Sequence, residues 1–220
     1  WDPKEYSGTY GDTGFHLKFD DNSSASALGT DSSGNSNNWT PNGIGIAAGS
    51  VDARSNFDVV LYTGTGSAQS ITGLAFQPDL VIVQSRSGDA PPVVDSVRGA
   101  DKSLFTTSGS AEGTYGSITA FNSDGFTLGT YNNANQSSVN FVGWAWKAGG
   151  TASSNTNGTI TSSVSANTNF GFSIVSYTGT GSAGTVGHGL SSAPKMIWVK
   201  GRDSTLDWNV YHSGLTSAEY

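Results

Sequence analysis

The sequence predicts an all-β chain of tandem β-sandwich-like repeats, with short strands and Gly/Ser/Asn-rich turns. Three observations lead there. Short apolar runs recur between breaker clusters; 30 glycines punctuate 220 residues; and FDVVLYTGTGSAQSITGL at 57–74 returns as FSIVSYTGTGSAGTVGHGL at 172–190. Short runs divided by Gly, Ser, Asp and Pro are the pattern of antiparallel sandwiches, and a text repeated at a fixed distance is a structural unit used twice.

Residues 1–50 form the first segment. In GFHLKFDD, Phe15, Leu17 and Phe19 alternate with His16, Lys18 and Asp20, the period of a half-buried strand. The Asn/Ser/Gly-dense text that follows is a loop, its side chains bonding the local backbone. A strand with one apolar face needs a partner, so this piece is expected to pack on another domain or another chain.

Residues 51–149 form the first repeat. FDVVLYT, DLVIVQSR, YGSITAFN, GFTLGTY and NFVGWAW read as successive strands. Leu80 to Val83 make an unbroken apolar run, as expected of a central strand buried on both faces. In the closing strand Val142, Trp144 and Trp146 share one side, and Phe141, Gly143, Ala145 and Lys147 the other.

Residues 150–171 read as a Gly/Ser/Thr/Asn linker in which TITSSVS can pair as a short strand. The second repeat, 172–220, then restarts the unit: Phe172 matches Phe57, Tyr177 matches Tyr62, and PKMIWVKGR matches PDLVIVQSR. It stops before any counterpart of WAWK. An unfinished sandwich exposes a sheet face and edge, so its missing strands are expected from chain beyond Tyr220 or from a neighbour. The chain opens on Trp1 with no initiator Met or signal peptide, as expected of a processed chain or a fragment.

Composition excludes several function classes. The net charge is −7 with ten Lys and Arg in no cluster, so there is no cationic face to displace counterions from nucleic acid or to meet an anionic membrane. No apolar run has the length of a spanning helix. Cysteine is absent, which rules out disulfides and thiolate metal sites. Charged residues make up only 12 %, leaving a Ser/Thr/Asn/Gly surface that suits extracellular or virion proteins.

Gly179, Gly181 and Gly184 have the G-x-G-x-x-G spacing of a dinucleotide site, but the earlier copy keeps only Gly64 and Gly66 and has Gln69 third. That site needs a helix opening at the glycines, and Thr185, Val186, Gly187 and Pro194 forbid one. YTGTGS is expected to turn a hairpin, and no cofactor is expected.

The two copies of YTGTGS, with PDLVIVQSR and PKMIWVKGRDSTLDWNVYH, resemble a repeat domain of large structural proteins of marine bacteriophages, assigned to tail fibres and other virion appendages. VNFVGWAWKAGG and SNTNGTITSSVSANT are similar to that family's domain end and inter-repeat linker. GFHLKFDDNSSASALGTDSSGNSNNWT resembles the tail of a concanavalin-type sandwich. The resemblance implies a non-enzymatic virion protein, exposed on tail or capsid, most simply a tail-fibre or spike segment in host attachment. Its implied partners are other virion proteins, two further copies in a homotrimer with Phe15–Phe19 or the second repeat in the contact, and a host-surface glycan. It carries over no catalytic residues. The alternatives are a capsid-attached fibre or decoration protein and a tailspike-type glycan depolymerase.

A depolymerase needs two facing carboxylates. The candidates are Glu5, Glu112 and Glu219 with Asp89, Asp95 and Asp101, which otherwise read as solvated loop acids. His16, His188 and His212 stand in no nucleophile-elbow context, and His188 in GHGL reads as a turn. Asp20, Asp21, Asn22, Asp31 and Asn35 offer oxygens of the kind Ca²⁺ takes, but without EF-hand spacing, and read as Asx turns. No metal or catalytic residue is assigned. Trp198, Trp208 and Tyr211 can stack on sugar rings or serve as core.

Overall fold

The structure, a computed structural model, describes residues 8–18, 25–40 and 53–215. The chain divides into two units, Trp1–Ser50 and Val51–Tyr220.

Among its described residues the first unit holds one short helix, α1 (Ala25–Leu28), and a single antiparallel bridge, Leu17 to Asp31. Of the strand expected at Phe15–Phe19, the described residues 15–18 show one bridge, at Leu17. Phe15 is exposed, Phe19 lies outside the described residues, and no second strand flanks the segment among those described.

The second unit begins with a 3₁₀ turn, Ala53–Ser55, and then forms β1 (Phe57–Thr63), β2 (Gln69–Thr72), β3 (Leu80–Ser85), β4 (Pro92–Asp95), β5 (Lys102–Phe105) and β6 (Gly113–Thr114). There follow β7 (Ile118–Asn122), β8 (Gly125–Leu128), α2 (Asn132–Asn135) and β9 (Asn140–Trp146). One antiparallel sheet has the order β1-β9-β3-β4-β5-β6, and a second has β2-β8-β7. Ile71, Ile118, Phe126 and Leu128 from the small sheet meet Val81, Val83, Val94, Phe141 and Ala145 from the large one in a common core. The first repeat is a β-sandwich, and the chain is all-β.

The central position expected for Leu80–Val83 is observed: β3 lies between β9 and β4, with Val81, Ile82 and Val83 buried. In β9 the buried side is Phe141, Gly143 and Ala145, and the indoles of Trp144 and Trp146 lie half-buried on the other. Gly143 sits where a Cβ would come 3.2 Å from both Phe126 and Val60, a tight fit against the core.

The hairpin expected at YTGTGS does not form. β1 pairs with β9 and β2 with β8, so 64–68 carries the chain from one sheet to the other. A buried side chain, Asn135, fastens the crossing in place. Its Oδ1 accepts from Thr65 N and Gln69 Nε2, and its Nδ2 donates to the Ser67 and Gly129 carbonyls. Those bonds hold the loop against α2.

The stretch read as a linker contains β10 (Ser153–Asn155) and β11 (Ser162–Asn167), which join β12 (Phe172–Tyr177) in the order β10-β11-β12. Asp79 ties it to the first repeat by accepting from the Ala148 and Gly150 amides, and Asn167 Nδ2 donates to Asn56 Oδ1. The final hairpin is β13 (Met196–Val199) with β14 (Asn209–His212).

Candidate assembly surfaces

The acids proposed for catalysis are engaged in structure. Glu112 accepts two bonds from Arg202, at 2.9 Å and 3.0 Å, and a third from Arg98 at 3.0 Å; Arg98 also pairs with Asp95. Burial alone would raise the Glu112 carboxyl, but the hydrogen bonds and charges of Arg202 and Arg98 outweigh it and hold the group below its ordinary value. Asp89 accepts from the Ser85 and Ser87 hydroxyls, and Asp101 from the Gly116 and Ser117 amides. Glu5 and Glu219 lie outside the described residues.

The histidines behave as ring and turn residues. His16 stacks on Tyr10, with centroids 5.8 Å apart. His188 and His212 each accept, at Nδ1, the amide two residues later. No helix opens after Gly184; Val186 instead bridges Ile160 in parallel.

Of the proposed cation ligands, Asp20, Asp21 and Asn22 lie outside the described residues. Asp31 spends its acceptors on protein donors: Oδ1 takes the His16 and Ser33 amides, and Oδ2 the Ser33 hydroxyl and the Asn37 amide. Burial would raise this carboxyl, yet those four bonds more than offset it and bring its pKa to about 2. The Asn35 amide nitrogen donates to the Gly11 and Gly14 carbonyls. Both side chains organise a loop.

A cavity of about 390 Å³ borders 153–157 and Ala166, and its lining carries small polar groups and no charged side chain.

Among the described residues of the second unit, two apolar surfaces are exposed on its strands. On the outer face of the first sandwich, alternation turns Val60 and Tyr62 to the core and leaves Val59 and Leu61 exposed, Leu61 at 65 %. They lie opposite Trp144 and Val142 in the ladder, so the apolar character continues across to β9.

The second surface is the β13–β14 hairpin. Met196, Ile197, Trp198 and Val199 are all exposed, as are Val210 and Tyr211, whereas Val81 and Val83 at the matching positions of the first repeat have no exposure. The aromatics suggested for sugar stacking fall here: Trp198 meets Trp208 edge to face at 6.3 Å, and Tyr211 lies on β14. The connection between the two strands is latched to the first repeat. Trp208 Nε1 donates to the Phe105 carbonyl, Lys200 Nζ and the Leu206 amide to the Gly109 carbonyl, and the Glu112 amide to the Arg202 carbonyl. With the Glu112–Arg202 ion pair, these bonds hold the hairpin at a fixed place on the first sandwich.

Residues 52–220 match a family described as a domain of unknown function, DUF7483. The chain belongs to that family. The match takes in both repeats and their connection, the same stretch that forms the second unit. No curated protein and no solved structure matches the chain.

Sequence reasoning found the aromatics of the hairpin but missed Asn135, Asp79 and the latch. The Asn in YNNANQSS reads as one more turn residue, and only its lack of exposure marks it out. For Arg202, the pairing of KGR with an acid 90 positions away carries no local signal.

Proposed function

We propose that this DUF7483 chain is a non-enzymatic structural segment of a virion appendage, a tail fibre or spike acting in host attachment. The observation that carries the reading is the second copy of the β1–β3 text, folded as strand and hairpin and fastened to the first sandwich through Glu112 and Arg202. Units that repeat and hold one another at fixed positions build extended arrays. A surface with few charges is compatible with close packing among neighbouring virion proteins. The resemblance to marine bacteriophage repeat domains supplies the setting. In that setting the chain is a homotrimer, and the outer face around Val59 and Leu61 supplies an apolar area for its contact. A terminal surface meets a host glycan or protein.

The test has two arms. Antibodies raised against the chain, applied to purified virions, are expected to decorate the tail; decoration of the capsid gives the decoration-protein alternative, and absence from virions overturns the reading. The purified chain incubated with host polysaccharide is expected to release no reducing ends, and their appearance overturns the non-enzymatic part.

A further inference from the structure

Besides the hairpin aromatics, a second aromatic cluster reaches the surface, on the first sandwich, where three connections meet. Phe105 closes β5, Tyr115 follows β6, and Tyr131 stands just before α2. The Tyr131 amide donates to the Gly116 carbonyl at 3.2 Å, and Asp101 Oδ1 accepts the Gly116 and Ser117 amides. Asn133 Nδ2 donates to the Ala90 carbonyl at 3.2 Å, which fastens the connection carrying Asp89 to the α2 turn. All of these residues belong to the first sandwich, whose two sheets share one core.

Phe105 is buried and the two tyrosines lie on it. Tyr115 meets it edge to face at 5.3 Å and Tyr131 at a tilt at 6.2 Å, with 5.1 Å between the tyrosines themselves. A Cβ on Gly113 would come 2.4 Å from the Tyr115 ring, so glycine there lets the ring fold back over the backbone. Tyr115 nevertheless keeps 42 % exposure. Rings this close fill the space between them and leave no cage for an ammonium group; what they offer is an outer face. Three polar atoms of the cluster have no hydrogen-bond partner among the described residues: both tyrosine hydroxyls, and Asp89 Oδ1, whose sister Oδ2 takes the Ser85 and Ser87 hydroxyls. Burial, then Tyr115 and the Asp89 charge, raise the Tyr131 phenol above its ordinary value, so both groups lie within electrostatic reach of it.

We propose that Tyr115, Tyr131 and Asp89 form a binding site for a neutral saccharide, whose pyranose ring lays its C–H face on the tyrosine pair and whose hydroxyls meet the phenols and the carboxylate. The three kinds of group select this class together. An aromatic face takes a flat apolar surface. A phenol both donates and accepts, so it is matched by a hydroxyl, which does the same, and only half matched by an ammonium or guanidinium, which only donates. A carboxylate oxygen accepts from a sugar hydroxyl but repels an acid, in a chain whose net charge is −7, so uronic acids, sialic acids and phosphates are disfavoured. The site gives the attachment reading a glycan surface and rests on that reading for the source of the glycan; its test uses the chain in solution, without virions.

The experiment titrates the full chain with methyl glycosides of glucose, galactose, mannose and N-acetylglucosamine, with methyl glucuronide and choline alongside, and follows saturation-transfer NMR. Saturable binding of at least one neutral glycoside is expected, with transfer concentrated on the C–H protons of one ring face. Y115A is expected to weaken it about tenfold, and Y115F, which keeps the ring, by less. D89N is expected to weaken it severalfold and to reduce the bias against the glucuronide. Because Tyr115 is a surface side chain, Y115A is expected to melt close to the wild type. The proposal is overturned if no neutral glycoside binds, if methyl glucuronide or choline binds as tightly as the best of them, or if Y115A and D89N leave binding unchanged. Antibody decoration of the tail without saccharide binding overturns this site alone; saccharide binding that Y115A abolishes, in a chain absent from virions, overturns the virion reading alone.

Discussion

Single residues carry much of the order in this chain, and two polar ones do so while buried or nearly so. Asn135 satisfies four groups of the crossing loop and its neighbours with one amide. Removing it leaves the Thr65 amide and the Ser67 and Gly129 carbonyls without that partner, so N135A is expected to lower the stability of the first sandwich by about 3 kcal/mol in urea denaturation, a loss of several bonds at about 1 kcal/mol each. N135D restores only the acceptor and is expected to recover part of that loss at most. Asp31 does similar work in the N-terminal unit as a charge. Because its folded pKa is about 2, below its ordinary 3.8, it stabilises the loop above the ordinary value and loses that contribution as pH falls toward 2. Amide exchange at His16, Ser33 and Asn37 is expected to quicken over that window in the wild type, and in D31N to be fast already at neutral pH.

At the scale of elements, the β13–β14 hairpin is held by its connection more than by its faces. The ion pair of Glu112 with Arg202 is its charged fastening, and Glu112 has its pKa lowered in the fold. A depressed carboxyl stabilises above its unfolded value, so the latch is complete at neutral pH and loosens as pH falls through and below the ordinary carboxylate range. Arg202 is 39 % exposed, so salt weakens the pair. E112Q is expected to speed tryptic cleavage after Lys200 and Arg202 severalfold at neutral pH, with wild type and variant converging in acid; equal rates at neutral pH would show that the neutral bonds suffice. The strands themselves were largely legible in the sequence. Short runs between breaker clusters marked β1, β7 and β8, alternation marked β9, and the unbroken run marked β3. β2, β4, β5 and β6 escaped because two to four residues give too little periodicity to read, and because Pro91 and Pro92 look like a breaker where they begin β4. What was not legible is the pairing. The YTGTGS text looks like a hairpin from its glycines, but it crosses between sheets and the distant Asn135 fastens it there. The candidate surfaces divide in the same way: Trp198, Trp208 and Tyr211 were visible as exposed or core aromatics, whereas the latch depends on a glutamate far away in sequence.

For the whole molecule the proposed trimer needs a face that one chain leaves uncovered and that three copies can share. Among the described residues β1 is the edge strand of the large sheet, and its outward residues Val59 and Leu61 continue the apolar strip made by Val142 and Trp144. An exposed apolar strip on a charge-poor surface favours association, because little charge repulsion opposes contact. The same residues point away from the core, so replacing them with lysine leaves the sandwich intact while placing like charges at every copy of the contact. Sedimentation equilibrium at about 10 µM is expected to give three times the chain mass of 22.6 kDa for the wild type and the single mass for V59K/L61K. Far-ultraviolet circular dichroism is expected to be the same for both, which separates lost assembly from lost folding. A wild-type chain that sediments as a monomer overturns the trimer. A V59K/L61K variant that remains trimeric moves the contact away from β1.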